Sequence, residues 1–162
     1  MAYSATLTRP IDTPASFGAR FLAYFIDGLV VSIPIIVLVA LFGAGIAGAV
    51  STLESADAEM SDAMLASITG AVTLLSGLSM VICYGYFLYT WSIGTSVGMK
   101  LLGLRMVRAD NGEAPGLGRA IIRLIITMVS AMFFYLGYLW MLWDGQKQTW
   151  HDKVAGTVVI VA

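Results

Sequence analysis

Three long apolar segments constrain this chain more than any other feature. They cover residues 21–50, 64–90 and 124–143, and the second and third contain no charged residue. A membrane-spanning helix needs about 20 mostly apolar residues, so each segment is long enough to cross a bilayer. Only 12% of the residues are charged, whereas soluble domains contain about 25%. The sequence therefore predicts an all-α membrane protein built as a small bundle of three hydrophobic helical segments.

The domain organisation follows from the same segments. We predict a polar N-terminal segment over residues 1–16 and one membrane domain over residues 17–162, with helices at about 17–50, 64–90 and 119–143. The first run is far longer than the apolar core of a signal peptide, which predicts a span that is not cleaved.

The first apolar run also exceeds the length that a bilayer needs. Tilt, a kink at Pro34 or an unwound end near the glycines of residues 43–48 would each accommodate the excess. The small residues Ala40, Ala44 and Gly48 recur at helical spacing, which allows helices to pack closely. From this pattern we predict a homo-oligomer in the lipid bilayer.

The loop charges predict the orientation. Residues 51–63 carry four acidic residues and no lysine or arginine, whereas residues 92–123 carry Lys100, Arg105, Arg108, Arg119 and Arg123. Basic loops stay on the cytoplasmic side. We therefore predict a multi-pass protein of the cell (inner or plasma) membrane, with a cytoplasmic N-terminus and the acidic loop 51–63 outside.

The C-terminal third allows two topologies. Residues 104–108 alternate in polarity and residues 157–161 are β-branched, which favours two short strands. If they pair, the pairing and the C-terminus are cytoplasmic, and residues 119–143 form a re-entrant hairpin bent around Ser130 or Gly137. If residues 119–143 instead form a simple third span, the basic residues after it lie outside, against the charge rule.

Asp27 is the candidate functional residue within the first span. A carboxylate at the centre of a membrane helix costs on the order of 2.5–3.5 kcal/mol, so such residues usually have a partner or a function. Arg20 lies two helical turns earlier, but its side chain leans toward the helix N-terminus and away from Asp27. The two residues are consistent with a site for a proton or a monovalent cation, or with a structural cluster.

Three segments resemble the RDD family of small membrane proteins, which is named for one arginine and two aspartates. Arg20 and Asp27 match the first pair. Residues 94–107 are similar to the family's Gly-Lys-Leu-Leu-Gly-Leu-Arg-Val segment, with Ser96 in place of the more usual Thr and Met99 inserted before the lysine. Residues 148–159 are similar to its His-Asp-Lys-x-Ala-Gly-Thr-x-Val ending.

The resemblance implies that Asp152 is the second family aspartate, with Asp144 as the alternative. It also implies an integral membrane protein with a suspected transport role and no established enzyme activity. Asp152 could reach Arg20 or Lys100 at the inner face. His151 is either a pH-sensitive group beside Asp152 or, as we favour, part of a surface turn in which Asp152 caps backbone amides.

Other chemistry is not indicated. One histidine and one cysteine exclude a multi-histidine metal site, a zinc motif and a disulfide, and no nucleophile–base set is present. We expect no catalytic residue, cofactor, metal or nucleic-acid partner. Two functions remain: an oligomeric transporter or ion/proton-coupled exchanger that uses Asp27, or a non-transporting scaffold or accessory subunit that docks partners through its basic cytoplasmic face.

Overall fold

The computed structural model describes residues 13–55 and 59–162, and it confirms a mostly helical protein with one small sheet. Residues 1–12 of the predicted polar segment and residues 56–58 of the predicted acidic loop lie outside the described residues. The elements are α1 (Phe17–Ser55), α2 (Asp62–Ile93), α3 (Val97–Leu101), β1 (Leu104–Arg108), α4 (Gly116–Met132), α5 (Leu136–Leu139), a 3₁₀ turn (Trp140–Leu142), α6 (Trp150–Ala155) and β2 (Thr157–Val161).

The two long helices are candidate membrane spans. Phe17–Leu53 and Asp62–Ile93 are long and apolar enough to cross a bilayer, and only 6% and 0% of their most apolar windows are buried. Exposed apolar side chains of this kind are suited to contact lipid. α1 continues through Pro34 and ends at Ser55, so of the three alternatives for its excess length, the unwound end near the glycines of residues 43–48 is wrong.

The third apolar segment is bent. α4 and the stretch Leu136–Leu142 meet at 109°, so residues 119–143 do not form one straight helix. The break lies at residues 133–135, where Phe134 and Tyr135 have positive φ angles of 51° and 58°. The amide of Gly137 donates to the Ser130 hydroxyl over 3.0 Å, which closes the bend between the two residues named from the sequence.

The sheet confirms the predicted pairing. β1 and β2 are antiparallel, from Leu104 opposite Val161 to Arg108 opposite Thr157. Residues 13–15 add further backbone hydrogen bonds to β2. The pairing brings together the two ends of the chain segment that contains the bent helices.

The chain divides into two compact units. The sheet unit comprises residues 13–30 and 85–162, and the helical unit comprises residues 31–84. The core of the sheet unit contains Ala15, Ala23, Trp91, Met99, Leu104, Met106, Ala120 and Val159. The single domain predicted over residues 17–162 stays a prediction.

Candidate functional site

Asp27 lies on α1 within the sheet unit and is fully buried. Its Oδ1 atom accepts hydrogen bonds from the Tyr86 hydroxyl at 2.7 Å and the Gly98 amide at 2.8 Å. Its Oδ2 atom accepts one from the Ser96 hydroxyl at 2.5 Å. The carboxylate that the sequence placed inside an apolar run is therefore surrounded by uncharged donors.

Two of these donors, Ser96 and Gly98, lie at the start of α3, and the third, Tyr86, lies on α2. Ser96 is the N-cap residue, and its hydroxyl also accepts from the Met99 amide at 3.2 Å. The Tyr86 hydroxyl accepts from the Val97 amide at 3.3 Å. The first amides of a helix have no partner within the helix and need an external acceptor. Asp27 and Tyr86 supply acceptors to α3, and this attaches α3 to α1 and α2.

Gly98 allows the close approach that these bonds require. A Cβ atom at this position would overlap the carbonyl oxygen of Ala23 on α1. Only glycine lets the backbone of α3 lie this close to the backbone of α1. Close backbone packing between α3 and α1 therefore explains why a glycine occupies position 98 in the family-like segment.

Asp152 forms the second buried site. Arg20 donates from Nη1 to its Oδ2 at 2.5 Å, and Arg123 donates from Nη1 to its Oδ1. The Thr149 amide also donates to Oδ2 at 3.2 Å, and the Thr149 hydroxyl accepts from the Asp152 amide. Asp152 thus caps α6, as expected, and at the same time binds two arginines.

Both arginines reach further into the sheet unit. Arg20 donates from Nη2 to the carbonyl oxygen of Val159 at 3.2 Å, and Arg123 donates from Nη1 to the Thr157 hydroxyl at 2.6 Å. These contacts connect α1 and α4 to β2. Arg20 pairs with Asp152, as the sequence suggested, whereas Lys100 is exposed on α3.

The electrostatics of this cluster favour the ionised carboxylate. Burial raises the pKa of Asp152, but Arg123 and Arg20 outweigh that effect and hold the pKa well below its usual range. Asp152 therefore stays negatively charged at physiological pH. A buried ion pair is weak evidence for net stability. Removing one partner is nevertheless strongly destabilising, because it leaves an uncompensated buried charge.

His151 corrects the favoured prediction of a surface turn. Its side chain is fully buried, with its ring 4.7 Å from the ring of Tyr138 and parallel to Trp91 at 6.4 Å. Burial, with a further contribution from Arg123, lowers the pKa of His151 to about 3. The error arose because a polar sequence was equated with a surface, whereas α6 turns His151 and Asp152 inward.

Asp144, the alternative second aspartate, lies in a different environment. It accepts hydrogen bonds from the amides of Gln146 and Gln148 at 3.2 and 3.0 Å and pairs with Lys153. Burial raises the pKa of Asp144, but the bonds from Lys153 and Gln148 lower it overall. This pattern is typical of a loop-stabilising aspartate. The described residues contain no group of three or more His, Cys, Asp or Glu side chains that could hold a metal ion.

Sequence reasoning did not identify three members of these sites. Arg123 was counted as a loop charge, but it is fully buried on α4. It is the single charge in the apolar run 120–126, and the same signal had drawn attention to Asp27. Tyr86 and Ser96 gave no comparable signal, because hydroxyl residues are common in membrane helices and turns.

Comparison with known proteins decides the family. The model of the RDD family matches residues 14–156. The chain belongs to the RDD family. Arg20, Asp27 and Asp152, which carried the resemblance in the sequence, occupy the two buried carboxylate sites of this RDD protein.

The relatives include one protein that the match covers almost completely and two proteins that it covers only in part. The uncharacterized protein YxaI of Bacillus subtilis (strain 168) is 32% identical over 151 residues, covering 93% of this chain and 99% of YxaI. The proline-rich antigen of Mycobacterium leprae (strain TN) is 26% identical over 87% of this chain and 58% of its own length. The proline-rich antigen homolog of Mycobacterium tuberculosis (strain H37Rv) is 30% identical over 60% of this chain and 40% of its own length. No solved structure matches the chain.

Proposed function

We propose that this RDD protein is a non-transporting membrane scaffold without enzymatic activity. One observation supports this proposal above all: each carboxylate oxygen of Asp27 and Asp152 already accepts a hydrogen bond from the protein. Groups that bind and release an ion need oxygen atoms that can be freed at low cost. Here the same oxygen atoms hold helices and strands together.

The hydrogen bonds of Asp27 determine the free-energy cost of using it for ion exchange. A cation entering this site would compete with the hydroxyls of Tyr86 and Ser96 and with the amide of Gly98. Losing these donors would uncap α3 and leave buried polar groups unpaired, at about 1–3 kcal/mol for each group. This cost favours a structural role for Asp27.

The longer relatives are consistent with a scaffold. The match covers only 58% and 40% of the two mycobacterial proteins, so in them the membrane module is joined to a substantial length of other sequence. We propose that the module positions attached or docked partners at the membrane. In this chain the exposed basic side chains between α2 and α4 would supply the docking face.

The topology of the proposed scaffold follows from the strand pairing. Two strands that form one sheet lie on the same side of a bilayer, so the chain between β1 and β2 must enter and leave on that side. The bend of 109° between α4 and α5 fits a re-entrant segment. From the positive-inside rule we propose that this side is the cytoplasmic face of the inner or plasma membrane, with both termini there and the acidic loop outside.

Ion-coupled exchange is the second candidate, and it also has a specific observation in its favour. The described hydrogen-bond donors to Asp27 are all uncharged, so a proton or a monovalent cation could balance its charge. Three helical segments enclose little space, so transport would require an oligomer. The exposed small residues Ala40, Ala44 and Gly48 on α1 could form its interface.

A flux assay separates the two candidates. The wild-type protein, Asp27→Asn and the control Asp62→Asn are reconstituted into proteoliposomes, and Na⁺, K⁺ and H⁺ fluxes are measured. Asp62 is an exposed aspartate in the first turn of α2. The scaffold proposal predicts that all three match empty liposomes. Flux in the wild type and in Asp62→Asn that is lost in Asp27→Asn would establish transport and overturn the proposal.

A further inference from the structure

A second feature of the sheet unit lies outside the two carboxylate sites. A cavity of about 460 Å³ opens between the end of α2, α3 and β1. Its lining includes Ile93, Gly94, Lys100, Leu104 and Arg105. This volume is in the range of small-molecule binding sites.

Two basic side chains line the cavity. Lys100 and Arg105 contribute two cationic side chains, both exposed, and the described residues that line the cavity include no aspartate or glutamate. The other nearby arginine, Arg108, lies outside the lining. The cavity therefore offers positive charge to an anionic ligand.

The position of the cavity specifies the kind of anion. Ile93, the last residue of a candidate span, lines it and is 43% exposed. Val97 and Leu101 on α3 are 41% and 70% exposed, beside Lys100. A basic cavity at the end of a span, next to exposed apolar side chains, matches a molecule with an anionic head and an apolar tail.

We infer that this cavity binds the phosphate headgroup of an anionic phospholipid. Lys100 and Arg105 contact the phosphate oxygens, and the acyl chains lie along Ile93, Val97 and Leu101. Arginine suits this task because its planar group can donate two parallel hydrogen bonds to a phosphate. This inference is independent of whether the protein transports ions.

Native mass spectrometry of protein released from mixed nanodiscs tests the inference. The nanodiscs contain equal amounts of phosphatidylglycerol and phosphatidylcholine, and the measured quantity is the ratio of the two lipids retained. The wild type should retain phosphatidylglycerol preferentially. Removing both charges in Lys100→Gln/Arg105→Gln should lower that ratio about thirtyfold, because each basic residue near an anionic surface contributes on the order of 1 kcal/mol and about 1.4 kcal/mol corresponds to a factor of ten. Lys100→Gln alone should have a smaller effect in the same direction.

The matched control is Arg108→Gln/Lys147→Gln. It removes the same net charge from two basic residues that do not line the cavity. It should keep the wild-type ratio, and all variants should melt within a few degrees of the wild type in phosphatidylcholine alone. Equal loss in both double variants would show a general charge effect and overturn the site. Displacement of the retained lipid by millimolar inorganic phosphate would show a free-anion site and overturn the lipid assignment.

Discussion

Arg20 and Asp152 are 132 positions apart in the sequence, yet their side chains form a buried ion pair with an N–O distance of 2.5 Å. The relative exposures of the two side chains are 4% and 0%. The pair joins the first helix to the last one, and Arg123 adds a second cation on the other carboxylate oxygen. These charges should contribute strongly to the stability of the sheet unit.

Removing Arg123 should therefore be strongly destabilising. In Arg123→Gln, Asp152 keeps only Arg20 as a cationic partner in full burial, and we expect a loss of about 3–5 kcal/mol of unfolding free energy. Arg108→Gln is the control, because Arg108 is 31% exposed and its acidic partners are also exposed. It should cost less than about 1 kcal/mol. Denaturant unfolding in detergent measures both, and equal losses would contradict the central role of Asp152.

Gly98 should not tolerate even one added methyl group. Gly98→Ala places a Cβ against the backbone of Ala23, so α3 must separate from α1 and the bonds to Asp27 must lengthen. Gly118→Ala on α4 meets no atom within 4 Å and should be neutral or stabilising by up to about 1 kcal/mol. Melting temperatures of the two variants should shift in opposite directions or differ by several degrees. Indistinguishable melting would argue against the close approach.

Acid should destabilise the protein through His151. The folded protein holds the pKa of His151 at about 3, whereas the unfolded chain has a histidine pKa of about 6.5. Between these values only the unfolded state binds the proton, so stability falls as pH decreases below about 6.5, at roughly 1.4 kcal/mol per pH unit. From pH 7.5 to 5.0 we expect a loss of about 2 kcal/mol.

A variant without the imidazole tests whether His151 causes this pH dependence of stability. His151 is the only histidine in the chain, and His151→Phe places another aromatic ring between Trp91 and Tyr138. Its unfolding free energy should change little from pH 7.5 to 5.0. If the variant keeps the wild-type pH dependence, the imidazole does not cause it.

Asp27 should tolerate asparagine but not alanine. Asparagine keeps one oxygen for Tyr86 and Gly98, and the Ser96 hydroxyl can rotate to accept from the new amide group. Alanine leaves these donors buried without a partner, which costs about 1–3 kcal/mol for each. Membrane yield and thermal unfolding should rank the wild type and Asp27→Asn close together and Asp27→Ala well below. Similar values for both variants would show that the hydrogen bonds contribute little.

Cysteine accessibility tests the topology. In a Cys83→Ser background, a cysteine at Ser55 should react with an impermeant thiol reagent from outside, and one at Ala109 should react only after permeabilisation. A reporter fused after Ala162 should report the same side as Ala109, because β1 and β2 are paired. A reporter on the opposite side from Ala109 would exclude the re-entrant path.

The sequence predicted the elements that carry a periodic or compositional signal. Alternation over residues 104–108 and a β-branched run over 157–161 were enough to predict the sheet and its partner strands. Asp27 stood out because an isolated charge in an apolar run is costly. Arg123 is also an isolated charge in an apolar run, but it directly follows a basic loop, and this position hides its burial in the sequence.

The remaining features depend on tertiary contacts that leave little trace in the sequence. The burial of His151 results from the way α6 is held by Thr149 and the two arginines. The polar sequence His-Asp-Lys at residues 151–153 does not predict the contacts of His151 with the rings of Trp91 and Tyr138. The partners of Asp27 come from an N-cap and a tyrosine, and neither residue type is distinctive. Pairing of distant charges can be proposed from a family motif, but its geometry requires the fold.

The distance in sequence between Arg20 and Asp152 also has a consequence for biosynthesis. At about 5–20 residues per second, Asp152 is synthesised roughly 7–26 s after Arg20. During that interval Arg20, and Arg123 once it has been synthesised, lack their partner Asp152. A chain released early, before α6 and β2, would expose those charges permanently. Arg20 and Arg123 therefore become paired with Asp152 only after α6 has been synthesised.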